Sequence, residues 1–409
     1  MRLLFKIVLA LIVALVAVIG GTLLYIGSSG IPNYPPGKID LKVDVTPERV
    51  ARGHHTVQML CAACHLDNET ASLAGKPMAE LPAQFGSAYS ANITSDPETG
   101  ISAWTDGELA YLLRTGVRRD GRYTPPWMVK LALMADEDVK DVIAFLRSDD
   151  PLVRPIKAKR PLSKPSLLTK VLARVAFKPL PYPTAPIVAP DPADHVAYGR
   201  YLVQAKAMCF PCHSADFAKI DDMVPERSAG YLGGGNAMPD ESGRIVKTAN
   251  ITPDRETGIG AWSEDEFVRL VRSGVRPDST VIAYPMVPFP ELSDAEARAI
   301  YAYLRTVPPI KNAVARPAVA VVVAGAEAGR AAYYRYGCNG CHGETGVGVY
   351  DLRKGATDFA TDEELIAYIR HPELKKPGVK MPTWDGVIAE ADYPALAAYA
   401  RKLGSAKAK

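Results

Sequence analysis

The chain has 409 residues, too many for one small core and enough for several domains. Hydrophobic residues make up 48%, and 48 Lys and Arg nearly balance 45 Asp and Glu, leaving a formal net charge of +3. That balance excludes an intrinsically disordered chain and a basic nucleic-acid-binding surface, and it speaks to solubility rather than to partner choice.

From Ile7 to Ile26, twenty residues run without a charge. At about 1.5 Å per residue they span about 30 Å, the thickness of a bilayer core, so residues 1–30 read as an N-terminal transmembrane anchor. A cleaved signal peptide competes with this reading, but its apolar region is shorter, about 7–15 residues, and no small-x-small site closes this one. Arg2 and Lys6 hold the short tail in the cytoplasm. The chain is therefore expected to be a single-pass protein of a bacterial inner membrane with its remaining residues in the periplasm.

Residues 47–150 form a first repeat. A helix with the sequence "ARGHHTVQML" runs into "CAACH" (61–65), "ANITSDPETGISAW" (91–104) follows, and a closing helix ends in "AFLR" (144–147). Residues 151–190 are rich in Pro, Lys and Arg and predict an extended, stiff linker, interrupted at 166–178 by an apolar, basic stretch of short-helix character. Packing on a domain, lying on lipid headgroups and docking a partner are its three readings.

The second repeat, 191–308, returns every feature: "AYGRYLVQAKAM" into "CFPCH" (209–213), "ANITPDRETGIGAW" (249–262), and "AYLR" (302–305). The same 24-residue step separates Trp104 from Met128 and Trp262 from Met286, so the two repeats are homologous by internal comparison alone. A second linker covers 309–322. The third repeat, 323–405, is shorter and lacks the Asn-Ile-Thr loop, but keeps "EAGRAAYYRYG" before "CNGCH" (338–342) and "AYAR" (398–401) near its end. In each repeat a glycine, Gly53, Gly199 or Gly329, should let the first helix approach the last closely, against Phe145, Tyr303 and Tyr399. Thr105 with Glu108, Ser263 with Glu266 and Thr361 with Glu364 predict capping boxes at the middle helices. The expected fold is all-α, with three tandem domains.

All six cysteines fall in the three Cys-x-x-Cys-His frames: Cys61 and Cys64, Cys209 and Cys212, Cys338 and Cys341. This frame is the attachment site of c-type haem, two thioethers to the porphyrin with the adjacent imidazole on the iron. A redox dithiol or half of a zinc site accounts for one copy but not for three, each with its His. The expectation is three covalently bound haem c, with His65, His213 and His342 as iron ligands.

An opposite ligand is Met or a second His, and Met raises the reduction potential relative to His. In repeat three Met381 lies downstream of the motif, with His371 as competitor; in repeat two Met286 is favoured over Met223 and Met238; in repeat one Met128 occupies the place of Met286. Met134 aligns with Leu292 and reads as core. His54, His55 and His195 lie upstream on the opening helices and read as surface or packing residues, with bis-His ligation in repeat one as the alternative. Trp104 and Trp262 are candidates to pack on the porphyrin or bond a propionate, and Arg114, Arg118, Arg272 and Arg276 are candidate propionate partners or solvated helix ends. "GGGN" (233–236) lacks the frame of a nucleotide cradle and reads as a loop.

The Asn-Ile-Thr segment, its copy and the three haem motifs resemble the trihaem cytochrome c subunit of membrane-bound bacterial dehydrogenases that act on alcohols, gluconate, sorbitol, fructose or aldehydes. The resemblance spans about residues 47–405 and implies three tandem class I cytochrome c domains. It implies His65/Met128, His213/Met286 and His342/Met381 ligation. It also implies no catalysis of the chain's own: electrons pass from a periplasmic dehydrogenase or another respiratory complex to quinone or a terminal oxidase. Lipid contact through residues 7–26 is expected from the apolar segment itself. In that family the membrane-binding stretch is at the C-terminal end, whereas here the apolar segment stands in front. Two other functions compete, a tethered carrier working alone with an oxidase and a haem peroxidase, which needs an open iron position.

Overall fold

The computed structural model describes residues 2–405 except 68, 79–80, 241–243, 279, 283–284, 316–325, 344, 349 and 377–378. Most of the second linker (316–322) and the start of the third repeat (323–325) therefore lie outside the described residues. The chain is rich in helix. Its sheet among the described residues is limited to two small antiparallel pairs, β1 (Gly86–Ser87) with β2 (Lys164–Pro165) and β3 (Ala237–Pro239) with β4 (Ile245–Lys247).

The first helix, α1 (Arg2–Ser28), is apolar along nearly its whole length and exposed, with Leu4, Ile12, Val16 and Leu24 each more than half accessible. It is the one helix among the described residues long and apolar enough to cross a membrane.

Repeat one begins with α2 (Pro47–Leu60), started by Thr46, whose side chain accepts from the Arg49 N–H, and by Pro47 in the first turn. A short α3 (Ala62–His65) carries the haem motif. Next, α4 (Asp106–Thr115) opens on a complete Thr105/Glu108 capping box and ends on Gly116 in the left-handed region. α5 (Asp136–Leu146) lacks a side-chain cap, but three acidic residues in its first turn complement the helix dipole. Helices α2 and α5 pack against one another, and the contact is so close that a Cβ on Gly53 would lie 1.9 Å from the Asp141 carbonyl oxygen and 2.8 Å from the Phe145 Cβ. Phe145, Val142, Ile143 and Met134 are fully buried in this core, so Met134 is core as expected.

The first linker contains α6 (Leu167–Val175) and is no free spacer. Ile156 N–H bonds the Thr94 hydroxyl, Leu180 N–H the Thr115 carbonyl and Ile187 N–H the Asp136 carboxylate, and Tyr182 stacks on Tyr111. It wraps repeat one because that repeat offers acceptors to several of its N–H groups and an aromatic face to Tyr182.

Repeat two repeats the plan: α7 (His195–Tyr201), α8 (Cys209–His213), α9 (Glu264–Ser273) and α10 (Asp294–Leu304). α7 ends in a π turn at 202–206 instead of running straight into the motif, and Met208 takes a left-handed backbone (φ 48°). Gly199 would set a Cβ 1.8 Å from the Ala299 carbonyl oxygen and 2.9 Å from the Tyr303 Cβ. Repeat three supplies α11 (Ala326–Arg335), α12 (Cys338–His342), α13 (Leu352–Thr357), α14 (Asp362–Arg370), α15 (Pro372–Lys375) and α16 (Tyr393–Ser405). Gly329 meets Ala395 and Tyr399 in the same way, and the Ser263/Glu266 and Thr361/Glu364 capping boxes are both present. Three hydrophobic cores result, and those of repeats one and two share Leu60, Tyr198 and Met208 at their margins.

Candidate functional site

The three histidines sit in one local geometry. Nδ1–H of His65 donates to the Ala91 carbonyl at 2.8 Å, that of His213 to the Ala249 carbonyl at 2.8 Å, and that of His342 to the Tyr350 carbonyl at 2.9 Å. Fixing the proton on Nδ1 leaves Nε2 with its lone pair, the form a metal-bound imidazole needs. Burial lowers all three pKa values, which keeps the rings neutral.

The acceptor loops explain the repeated Asn-Ile-Thr segment. Asn92 accepts from the Thr94 N–H and hydroxyl and donates to the Ile156 carbonyl at 2.7 Å and the Thr99 hydroxyl at 3.0 Å. Asn250 does the same with Thr252, Ile310 and Thr257. The loop that presents Ala91 or Ala249 is therefore tied by side-chain bonds to the strand of chain leaving the closing helix. A glycine completes each: Gly75 N–H bonds the His65 carbonyl and Gly234 N–H the His213 carbonyl, both with positive φ. A Cβ on Gly75 would lie 2.3 Å from Ser90 O, and one on Gly234 2.4 Å from the Ala249 carbonyl carbon. "GGGN" is thus a loop, as expected, and it braces the second histidine. Sequence reading singled out the Asn-Ile-Thr repeat without its task, because a backbone acceptor has no side-chain signature.

None of the six cysteines forms a disulfide. Burial pushes the thiols of Cys61, Cys209, Cys338 and Cys341 up to about 12 and raises Cys212 as well. Such thiols are poor nucleophiles, which act as thiolates, whereas thioether formation leaves no charge to bury.

In repeat three, a cavity of about 520 Å³ joins Cys338, Cys341 and His342 to Met381, Tyr333 and Trp384. Its other wall comes from repeat two: Arg272, Val281, Ile282, Met286, Val287 and Pro288. The structure thus brings His342 and Met381 together and adds Met286, which the sequence assigned to the second site, to the same wall. Gly340 faces Pro288 and Val287 across this junction, and the Tyr350 hydroxyl donates to the Glu291 carboxylate.

Met128 lies half-buried in a loop gathered by Lys130, whose ammonium donates to the carbonyls of Thr124, Pro125 and Met128. Burial draws that ammonium down to about 7, against the opposing pull of Asp222 from repeat two. Trp127 beside it contacts Phe85. Among the alternatives, Met223 is exposed, His371 sits near Glu373 and Asp385, His54 packs on Phe145, and His55 bonds the Glu291 carbonyl.

Trp104 is buried in the first core under the guanidinium groups of Arg118 and Arg119, at 5.3 and 5.1 Å, and Trp262 packs at the margin of the second. Arg114 departs from expectation: its guanidinium is spent on the carbonyls of Leu131, Ala132 and Met134 and on Asp136, where it fixes the entry to α5. Arg276 bonds the Val281 carbonyl. Arg118 and Arg272 each keep a buried Nε with no hydrogen-bond partner. A buried donor of this kind calls for an acceptor, and an anionic propionate is one.

Residues 50–149 match the family described as Cytochrome c, and residues 324–399 match the family described as cytochrome c oxidase, cbb3-type, subunit III. The chain is 29% identical over 332 residues to the cytochrome c subunit of a quinone alcohol dehydrogenase of Gluconobacter oxydans, covering 75% of this chain and 66% of that protein. It is 31% identical over 278 residues to the fructose dehydrogenase cytochrome subunit of Gluconobacter japonicus (63% and 52%). It is 29% identical over 266 residues to the gluconate 2-dehydrogenase cytochrome c subunit of Pantoea cypripedii (60% and 56%). The chain spans between about half and two thirds of the length of these curated relatives. Over most of its length the chain is thus similar to cytochrome c subunits of dehydrogenases, and its first repeat matches the cytochrome c family.

Proposed function

We propose that the chain is a membrane-anchored conduit holding three haem c groups in tandem cytochrome c domains at 47–150, 191–308 and 323–405, and that it accepts electrons from a dehydrogenase catalytic subunit and passes them to quinone or a terminal oxidase. The observation that carries this reading is the threefold recurrence of a half-buried Cys pair beside a His whose Nδ1 proton is fixed on a backbone carbonyl. A haem c held there supplies a one-electron iron couple.

Cys61 and Cys64, Cys209 and Cys212, and Cys338 and Cys341 would hold the porphyrins, and His65, His213 and His342 would present Nε2 to the irons. Met128, Met286 and Met381 are the proposed opposite ligands; Trp104 and Trp262 would wall the sites, and Arg118 and Arg272 would neutralise propionates. The wall shared by Met286 and the third cavity supports close approach of the second and third sites. Electron transfer falls steeply with distance, so a shared wall favours passage between them.

The anchor reading is supported at the outer end of α1. Arg174 donates to the Ser29 hydroxyl at 2.6 Å and to the Gly30 carbonyl at 3.0 Å, and Lys170 donates to the Gly27 carbonyl. Cations at a helix C-terminus complement its dipole, and a cleaved signal would leave them without these acceptors.

Gentle solubilisation of native membranes, capture of the chain and identification of what accompanies it test the proposal. A quinoprotein, flavoprotein or molybdoprotein partner whose substrate reduces the haems is expected. Recovery of the chain alone, or with a partner whose substrate leaves the haems oxidised, contradicts it.

A further inference from the structure

We infer that α6, Leu167–Val175, lies in the lipid headgroup layer beside the anchor and seats repeat one on the bilayer; the inference rests on α1 being a retained membrane helix. At about 1.5 Å per residue α1 is longer than a bilayer core of about 30 Å, which leaves its last turn at headgroup depth. α6 is bonded to that turn through Lys170 and Arg174.

The helix has three faces. Thr169 and Ala173 are buried toward the protein, with the Thr169 hydroxyl donating to the Phe85 carbonyl at 2.7 Å. Lys170 and Arg174, one turn apart, form the face tied to α1. The remaining arc, Leu167, Val171, Val175, Leu168 and Leu172, is entirely apolar, and three of its five residues are exposed: Leu167 is 45%, Leu168 43% and Val175 71% accessible, with Leu162 just before it at 73%, while Val171 and Leu172 are half-buried. An apolar arc of this size next to a membrane helix fits an interfacial helix and is costly to leave in water.

Charge agrees. Residues 151–190 hold eight Lys and Arg and no Asp or Glu, and Lys159, Lys164 and Lys178 are exposed around α6. Anionic lipid attracts such a segment. β1 and β2 and the Ser166 hydroxyl, which donates to Gln84 O, then join α6 to the Phe85–Trp127 contact and so to the loop of Met128. The first site is thereby tied to α6.

The test is the full chain, with its haems, in vesicles of phosphatidylethanolamine and phosphatidylglycerol, the latter supplying the anionic headgroups, carrying a lipid with a diazirine high on its acyl chain. After illumination, lipid adducts are mapped by peptide mass spectrometry. Adducts on α1 and on residues 162–177 are expected, and the exposed-residue variant Leu168→Ser with Val175→Ser should lower the yield on 162–177 at least threefold while leaving α1 unchanged. Adducts on α1 without any on 162–177 overturn the inference and assign the arc to solvent or a protein partner. An unchanged yield in the variant also overturns it. Absence of adducts from α1 sinks the anchor reading, and the inference with it.

Discussion

Ala91, Ala249 and Tyr350 accept the same hydrogen bond in three loops, and the third loop lacks the Asn-Ile-Thr segment that braces the other two. The function is therefore in the acceptor, and the asparagine is its support. Asn250→Ala leaves the buried Thr252 N–H without its acceptor and removes the Asn250 donor from the Ile310 carbonyl, which keeps only the longer bond from the Thr252 hydroxyl. A loss of about 2 kcal/mol in repeat two is expected, read as a lower denaturant midpoint, with a changed potential for one haem and not three. Arg118→Gln tests the Nε that has no hydrogen bond and only the Asp120 carboxylate at 3.7 Å: if this half-buried cation faces a propionate as proposed, removing it disfavours the added electron, and the potential of one haem should fall by about tens of millivolts. An unchanged set of potentials would place Arg118 outside the haem environment. For Met286, which lines the third cavity and is the proposed ligand of the second site, Met286→Ala should abolish the methionine-to-iron charge-transfer band of one haem and lower its potential, leaving two such bands.

At the scale of elements, the glycine contacts are the sharpest. Gly199→Ala requires a Cβ where the Ala299 carbonyl already stands, so α7 and α10 must separate, at a cost of about 3 kcal/mol; equilibrium unfolding should show it, and a cost under about 1 kcal/mol would mean the helices are not in contact. These pairs, the capping boxes and the buried Met134 were all legible, because small residues, caps and apolar spacing act locally and leave their mark on the residue types. Other features were not. The π turn after Tyr201, the wrapping of the linker on repeat one and the spending of Arg114 on three carbonyls depend on backbone groups contributed from elsewhere in the chain. The same holds for Met286: spacing alone pairs it with its own repeat, while its position on the third cavity is set by how two repeats meet.

Across the molecule, the segment leading into α10 joins all three repeats. His55 of repeat one bonds the Glu291 carbonyl and pairs with Glu296 at 3.3 Å, and Tyr350 of repeat three donates to the Glu291 carboxylate. Tyr201 of repeat two meanwhile accepts from the Ala135 N–H of repeat one. Burial alone would raise the Glu296 pKa, but the hydrogen bond and charge of His55 and the Ser293 N–H outweigh it and hold the carboxyl at about 2. Because the docked pKa lies below the usual value of about 4.3, the stabilisation is complete above that pH and is lost as pH falls toward 2. The chain and its His55→Gln variant should differ by about 2 kcal/mol at pH 5 and converge near pH 2, measured by thermal unfolding across that range. A difference that persists at pH 2 would place the coupling elsewhere. Joined in this way, the sites keep fixed separations, which a conduit needs and a string of loose domains would not provide.

The most direct test of the account is a coulometric redox titration of the purified full chain, followed at the haem absorption bands. The account predicts three one-electron equivalents per chain, all with the spectra of His/Met haem c. Fewer than three equivalents, or a haem that takes up cyanide or carbon monoxide rapidly at neutral pH, would contradict a three-site conduit.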